Sequence, residues 1–529
     1  MIVSLDELSI PAREVSPRID RELQPFLAKA LRIREDDILS WKILRRSIDA
    51  RKKPDVRIIY RIRAELKPGL LVPAGFREAA ESRDAWIPPS APPAGKRNGD
   101  PPLIVGAGPA GLFAALILAL AGRPPVVLER GRDVVRRKRD IGEFFRTRTP
   151  DPESNILFGE GGAGTWSDGK LHTRIRDPRI AFVLKTFVEA GAPEEILYFS
   201  HPHIGSDLLP DVIAGIRNRI LSLGGTFLWD TRAVALSVRG NRCTGVRLQN
   251  GETIDSGAVL VACGHSARDL ILSMASQGAS FCMKGFQTGV RIEHPQELID
   301  RAQFGRPVPV PSLGAAEYAL ADSASEGGGI ATFCMCPGGE IIPAVSEAEH
   351  LRTNGMSLHA RSGPFANSAL VTTWPADFFA TPEEAFRFLD SCEREFFLAG
   401  GSDYTCPAQR ASDFLAEKTT APGALGNNSY RLGLVPERLD QLLPARLRTA
   451  LRKAIPKFER KIPGFSSGIL TGIETGVSSP VRFLRDPETL ESGIRGLWIG
   501  GEGAGCAGGI TSAAVDGIRL AESMLRAGC

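Results

Sequence analysis

The chain has 529 residues, 43% of them hydrophobic and 24% charged, with a formal net charge of +4. That length accommodates about three domains, each large enough to bury a core, and the balance is that of an ordinary globular protein. A charge so close to neutral gives no electrostatic reason to expect nucleic acid or an acidic membrane surface as partner.

Taken in chain order, residues 1–86 read as a small α/β unit with a helix near 21–31, a basic strand around 43–48 and an alternating strand over 56–66. The stretch 87–102 is rich in proline and reads as a stiff linker with no core of its own. Residues 103–130 then spell a strand, a glycine turn at Gly106-Ala-Gly108-Pro109-Ala110-Gly111, an apolar helix, a second strand and the acid Glu129. This is the order of a dinucleotide-binding βαβ unit. Gly106 permits the tight turn, Gly108 lets backbone approach a pyrophosphate, and Gly111 lets the helix pack on the strand. The pyrophosphate belongs at the helix N-terminus, where unpaired N–H groups and the helix dipole meet its charge. Glu129 suits ribose hydroxyls and repels a 2′-phosphate, which favours FAD or NAD over NADP.

The same Gly-x-Gly-x-x-Gly spacing occurs at 159–164 and 503–508, but only the copy at 106–111 lies between an apolar strand and a long apolar helix with an acid at the right distance. These two therefore read as glycine loops approaching the same ligand, the last within a strand, glycine loop and amphipathic helix over 496–518. Helices over 180–189 and 208–223 lead to a third sheet strand at 226–229. Residues 232–254 alternate around an Asn250-Gly251 turn as a β-meander, and 258–264 return as a buried strand ending in glycine. The expected domains are therefore a Rossmann-type FAD-binding domain from 103–281 and 466–529, and an inserted α+β substrate or cap domain over 282–465. The overall class is α/β, with the small N-terminal α/β domain and its linker in front.

The apolar run 103–122 is long enough to imitate a membrane span, but its glycines and proline in the dinucleotide pattern favour a soluble reading. Residues 1–8 show no secretory pattern, so the cytoplasm is the expected location. The nine cysteines have no Cys-x-x-Cys spacing; neither a metal site nor a disulfide framework is expected. Cys334 and Cys336 are the close pair. Alternate strand residues share a face, which would suit a redox role, although buried structural thiols are the commoner case.

Several strings are similar to those of the bacterial FAD-dependent dehydrogenase-like proteins, NAD(P)/FAD-dependent oxidoreductases with a glutathione-reductase-like FAD fold. They are Phe158-Gly-Glu-Gly-Gly-Ala-Gly-Thr-Trp-Ser-Asp-Gly-Lys170-Leu, Gly264-His-Ser-Ala-Arg-Asp269, Arg291-Ile-Glu-His-Pro295, Phe333-Cys-Met-Cys-Pro-Gly-Gly339, Asn354-Gly-Met-Ser357 and Gly501-Glu-Gly-Ala-Gly505 with Ala507-Gly-Gly-Ile510. The resemblance runs from about residue 100 to the C-terminus, with Ser47-Ile-Asp-Ala-Arg-Lys52 similar to the family's leading domain. It implies FAD and a redox reaction and supplies no substrate. Two departures stand out: Glu474-Thr-Gly476-Val-Ser-Ser-Pro480 replaces the family's Glu-Thr-Arg-Thr-Ser-Ser-Pro, and Cys506 stands where a tyrosine is usual.

From the motifs and the resemblance, Gly106, Gly108, Pro109, Ala110 and Gly111 are expected at the pyrophosphate and Glu129 at the adenosine ribose. Arg130 and Arg137 are expected at adenine or phosphate, although a solvated basic face is the commoner role for Arg137. Gly161, Gly162, Ser167, Asp168 and Lys170 are expected around the isoalloxazine, where a cation favours reduced anionic flavin. Ala262, Gly264, Gly501, Glu502, Gly509 and Ile510 complete the cofactor set. His265 and Arg268, with Lys170, are the catalytic candidates, His265 as proton relay against a structural alternative. Arg291, Glu293, His294, Glu474 and Cys506 are candidates for substrate contact, with a buried ion pair as the cautious reading of the insert residues.

The function these readings favour is an FAD-dependent oxidoreductase that moves hydride between flavin N5 and a small-molecule substrate, in either direction. Alternatives are a flavin reductase fed transiently by NAD(P)H, or a flavin-binding RNA-associated or scaffold protein, the latter motivated by Arg45, Arg46, Arg51, Lys52 and Lys53.

Overall fold

A computed structural model describes residues 1–16, 19–70, 77–78, 86–90, 100–305, 312–323 and 328–529. The central feature is a five-stranded, wholly parallel sheet in the order Leu497–Ile499, Val259–Val261, Leu103–Val105, Val126–Leu128, Thr226–Leu228. Its three inner strands are Val-, Leu- and Ile-rich and almost wholly buried, as a parallel sheet covered on both faces requires. The run that imitates a membrane span is the first of these strands followed by the helix Pro109–Leu120. That helix is buried from Ala110 to Ala119. Among the described residues no helix is long and apolar enough to cross a membrane.

The C-terminal helix Ile510–Arg526 lies against Pro109–Leu120, so closely at Gly517 that a Cβ there would sit 2.0 Å from the Ala110 carbonyl oxygen. The meander forms as expected from Ala233–Arg239, Arg242–Leu248 and Thr253–Asp255.

The second large element is a seven-stranded mixed sheet whose centre is Phe365–Trp374, Phe286–Pro295 and Ile469–Glu474. Ile469–Glu474 was expected with the FAD-binding domain; its hydrogen bonds are instead to Phe286–Pro295, with Arg291 opposite Thr471. Next to Phe365–Trp374 lies Ile330–Cys336. Phe333 is opposite Ala369 and Cys336 opposite Asn367, so three steps on one strand match two on the other. This is a β-bulge, with one extra residue at Cys334-Met335.

At the N-terminus, Ile38–Asp49, Arg57–Leu66, Ile2–Pro11 and the short Arg77–Glu78 form an antiparallel sheet backed by the helix Gln24–Leu31. Its basic strand is a seam to the rest of the molecule. Arg46 donates to the Ser312 carbonyl, pairs with Asp20 and stacks over Phe199, and Arg45 donates to Ser200 Oγ. Lys53 donates to the Ala302 carbonyl, and Arg51 pairs with Asp49. Of the linker, 91–99 lies outside the described residues.

Candidate functional site

A cavity of about 340 Å³ opens at the carboxyl ends of the parallel strands, where doubly wound folds gather ligands. Its floor is the first glycine turn. Gly106 has φ +106°, and a Cβ there would lie 2.4 Å from the Ala262 oxygen, so this position excludes any side chain. At Gly108 a Cβ would meet nothing within 4 Å: the backbone faces open cavity. Gly111 is not on the wall. A Cβ there would fall 1.9 Å from the Gly106 oxygen, so its role is helix packing.

Two helices begin on this cavity, Pro109–Leu120 after Gly108 and Ile510–Arg526 after Gly509, and neither is capped by a side-chain acceptor. Uncapped first-turn N–H groups and the positive ends of both helix dipoles therefore converge on one space, which is the donor set an anionic dinucleotide takes.

Glu129 lies at the cavity with 6% exposure and accepts N–H bonds from Ala107, Gly131 and Gly159 at 2.9, 3.0 and 3.0 Å. Three of roughly four lone-pair positions are thus taken by backbone. One remains for a ribose hydroxyl, while the carboxylate ties both glycine loops together. The second loop docks on the first: Gly161 donates to the Ala107 oxygen at 2.8 Å, and a Cβ at Gly162 would come 3.3 Å from Gly108 Cα. Gly162 lines the cavity and Gly161 does not. Arg130 is on the wall, stacked over Phe158 at 3.9 Å and paired with Glu153.

Arg137 is neither on a solvated face nor on the cavity. It is fully buried and donates to the carbonyls of Asn155, Ile156 and Glu160, holding the second loop's approach. The helix Val134–Thr147 buries Val134, Arg137, Ile141 and Phe144, one stripe at helical spacing; that stripe was the available signal.

Ser167 and Lys170 line the cavity, but Asp168 stands behind them, fully buried in a bidentate pair with Arg361. Burial would raise the Asp168 carboxyl, yet the charges of Lys170 and Arg361 overcome it and hold the group at about 2. Lys170 Nζ lies 3.6 Å from Asp168 and donates to the Met335 carbonyl. Burial opposes its charge, and Asp168 together with the nearby Cys336 and Cys334 raises it.

His265, after the strand Val259–Val261, and Glu502, after Leu497–Ile499, both line the cavity, with Nδ1 3.1 Å from the carboxylate. His265 Nε2 is buried and has no protein partner. Arg268 is not on the wall; it is buried and paired with Glu393 at 2.6 Å and with Asp390. The catalytic candidate there is corrected to a structural ion pair.

The insert candidates also lie off the cavity. Arg291 is fully buried and spends all five N–H groups on Glu474, Asn354, Asn367 and the Cys334 carbonyl. Glu474, its bidentate partner, is therefore not a substrate contact. Glu293 accepts from Ser429 N and Oγ, and burial pushes its carboxyl up to about 7. His294 Nε2 bonds the Phe465 carbonyl, and burial lowers the ring to about 4. Of the insert residues the cautious ion-pair reading holds for Arg291, whose partner is Glu474, and not for Glu293 or His294; Cys506 is partly buried and off the wall.

What the sequence did not place there is the wall contributed by distant segments: His172, Phe333, Cys334, Asn354, Gly476 and Val477. Gly476 is the family departure, and a Cβ there would stand 3.6 Å from His265 Nε2. The missing arginine thus leaves space beside the unpartnered ring nitrogen. These features fit FAD: a glycine cradle, two uncapped helix ends, a ribose-side acid and an orphaned polar atom share one cavity.

Two family models agree with this. The model of the family "FAD-dependent protein, C-terminal domain-like" matches residues 285–477, a FAD binding domain model matches 101–149, and a domain of unknown function matches 7–65. An uncharacterized protein of Clostridium beijerinckii is 40% identical over 512 residues, 95% of each chain. Among solved structures, glycine oxidase from Geobacillus kaustophilus is 12% identical, covering 80% of this chain and 94% of its own at a TM-score of 0.33. Halogenase PltM is 11% identical, covering 82% and 70% at 0.37.

Proposed function

Because this chain belongs to the FAD-dependent protein family and FAD is its cofactor, we propose that it is an oxidoreductase acting on a small molecule held against the His265 wall. When bound, the isoalloxazine supplies the redox chemistry, hydride exchange at N5. The chain supplies placement, charge and a proton site. Gly108 and the two uncapped helix ends hold the pyrophosphate and the flavin-side carbonyl edge, and Glu129 accepts from the ribose. Glu502 fixes the His265 ring through Nδ1 and leaves Nε2 as the atom that holds or passes a proton at the substrate. Lys170, kept charged by Asp168, favours negative charge on that side of the cavity. The seven-stranded sheet serves as the substrate domain, contributing Phe333, Cys334 and Val477 as a mixed apolar and polar wall.

The observation that carries this reading is the convergence of two uncapped helix N-termini and the free His265 Nε2 on one cavity. The engagement of Arg45, Arg46 and Lys53 with other parts of the chain weighs against an RNA-associated role. The test is an anaerobic titration of the purified yellow protein with NADH and then NADPH. A stable oxidised spectrum, bleached only by a non-nicotinamide donor, is expected; bleaching by either nucleotide would make the protein a nicotinamide-fed reductase.

A further inference from the structure

Cys334 and Cys336 have no part in the redox chemistry assigned to the flavin, yet the structure treats them unequally. The bulge in Ile330–Cys336 gives Cys334 a left-handed backbone, φ +43°, at a residue that is not glycine. Arg291 fastens its carbonyl at 2.9 Å. Cys334 lines the cavity and is partly exposed into it, while Cys336, two residues on, is fully buried and its thiol donates to the Cys334 carbonyl oxygen at 3.2 Å. An outward thiol backed by a buried one is the arrangement of an attacking and a resolving cysteine.

We propose that Cys334 and Cys336 form a thiol–disulfide exchange site on the cavity wall, with a small-molecule disulfide as its oxidant. The Cys334 thiolate attacks one sulfur of the disulfide RSSR, forming a mixed disulfide and releasing RS⁻. Cys336 then attacks Cys334 Sγ, its proton passes to the released RS⁻, and the second RS⁻ leaves. The two cysteines lose two electrons and RSSR gains them. The site depends neither on hydride transfer nor on the flavin.

The charges facing Cys334 support this. The neighbouring Cys336 side chain, then Lys170 and Arg291, hold the Cys334 thiol well below the ordinary range; burial and Asp168 oppose them, and Glu474 is occupied by Arg291. The neighbouring Cys334 side chain and burial push Cys336 well above that range, keeping it protonated until the first step is over.

The test uses the holoenzyme in mixtures of glutathione and glutathione disulfide, quenched in acid, alkylated and read by peptide mass. Expected are a 334–336 peptide lacking two hydrogens and, in Cys336→Ser, a glutathione adduct on Cys334. In the wild type, Cys334 should alkylate near its plateau rate at pH ~7, where an ordinary thiol is only a few per cent thiolate. The exposed Cys282 is the internal control. Should Cys336→Ser fail to fold, the wild-type data decide alone. Cys334 reacting no faster than Cys282, or no linked peptide at any glutathione ratio, overturns the proposal.

Discussion

His265 Nδ1 lies 3.1 Å from Glu502 Oε2, joining the loops that follow two adjacent strands of the parallel sheet, Val259–Val261 and Leu497–Ile499. One ring nitrogen is thereby committed and the other, Nε2, left without a protein partner. Replacing His265 with glutamine should leave FAD content unchanged and lower turnover by ~10²–10⁴-fold, the usual worth of a positioned acid–base group. Glu502→Gln should cost less, since it loosens the ring without removing it. Flavin content by absorbance and the rate with the bleaching donor check both; an unaltered rate in His265→Gln removes the proton role.

Gly106 and Gly108 separate fold from ligand. Gly106→Ala meets a positive φ and a carbonyl 2.4 Å away, so it should destabilise by about 1–3 kcal/mol or more and accumulate poorly. Gly108→Ala finds room and an ordinary φ of −76°; its melting temperature should hold while its methyl enters the cavity and weakens FAD at least ~tenfold, about 1.4 kcal/mol. Thermal melts with flavin titration read the two effects separately. Equal FAD affinity in Gly108→Ala would remove the pyrophosphate from this turn.

Glu293 sets a pH signature in the seven-stranded sheet. Burial raises its folded carboxyl from 4.5 to about 7, so the native state keeps a proton that the unfolded chain releases. Stability from this group is full below pH ~4.5 and is lost as pH rises toward ~7, a difference of roughly 3 kcal/mol. Glu293→Gln keeps the acceptor for Ser429 N and can donate to Ser429 Oγ. It should be more stable than wild type at pH 8 and lose that advantage at pH 5 in denaturant titrations. A constant difference across the range would show that Glu293 does not titrate.

Gly476→Arg restores the family's residue. The new side chain starts 3.6 Å from His265 Nε2 and 4.0 Å from the buried Arg352. The protein should fold and retain FAD, with a displaced flavin absorbance maximum and at least ~tenfold lower turnover of its own donor, about 1.4 kcal/mol. Wild-type spectrum and turnover would mean that the departure at Gly476 has no bearing on substrate.

The parts whose geometry is local were legible in the chain alone. A strand, Gly106-x-Gly108-x-x-Gly111, an apolar helix and Glu129 fix their own turn, because glycine spacing and the helix start act within a few residues. The meander and the C-terminal helix followed from periodicity in the same way. Arg137 was half legible, since its place on the stripe with Val134, Ile141 and Phe144 was visible while its three carbonyl partners, 18, 19 and 23 residues on, were not.

Which charged residues face the ligand was settled by long-range packing. Arg291, Glu293, His294, Arg268 and Asp168 look in one dimension like a reactive set, yet each is spent on a partner brought from another element. Cys334, Asn354 and Gly476 reach the cavity because strand register and a one-residue bulge turn them there, and a bulge is set by pairing with a strand more than thirty residues away. Desolvation makes burial without a partner costly, so pairing across the fold, which no local pattern records, separates structural charges from those left free to act.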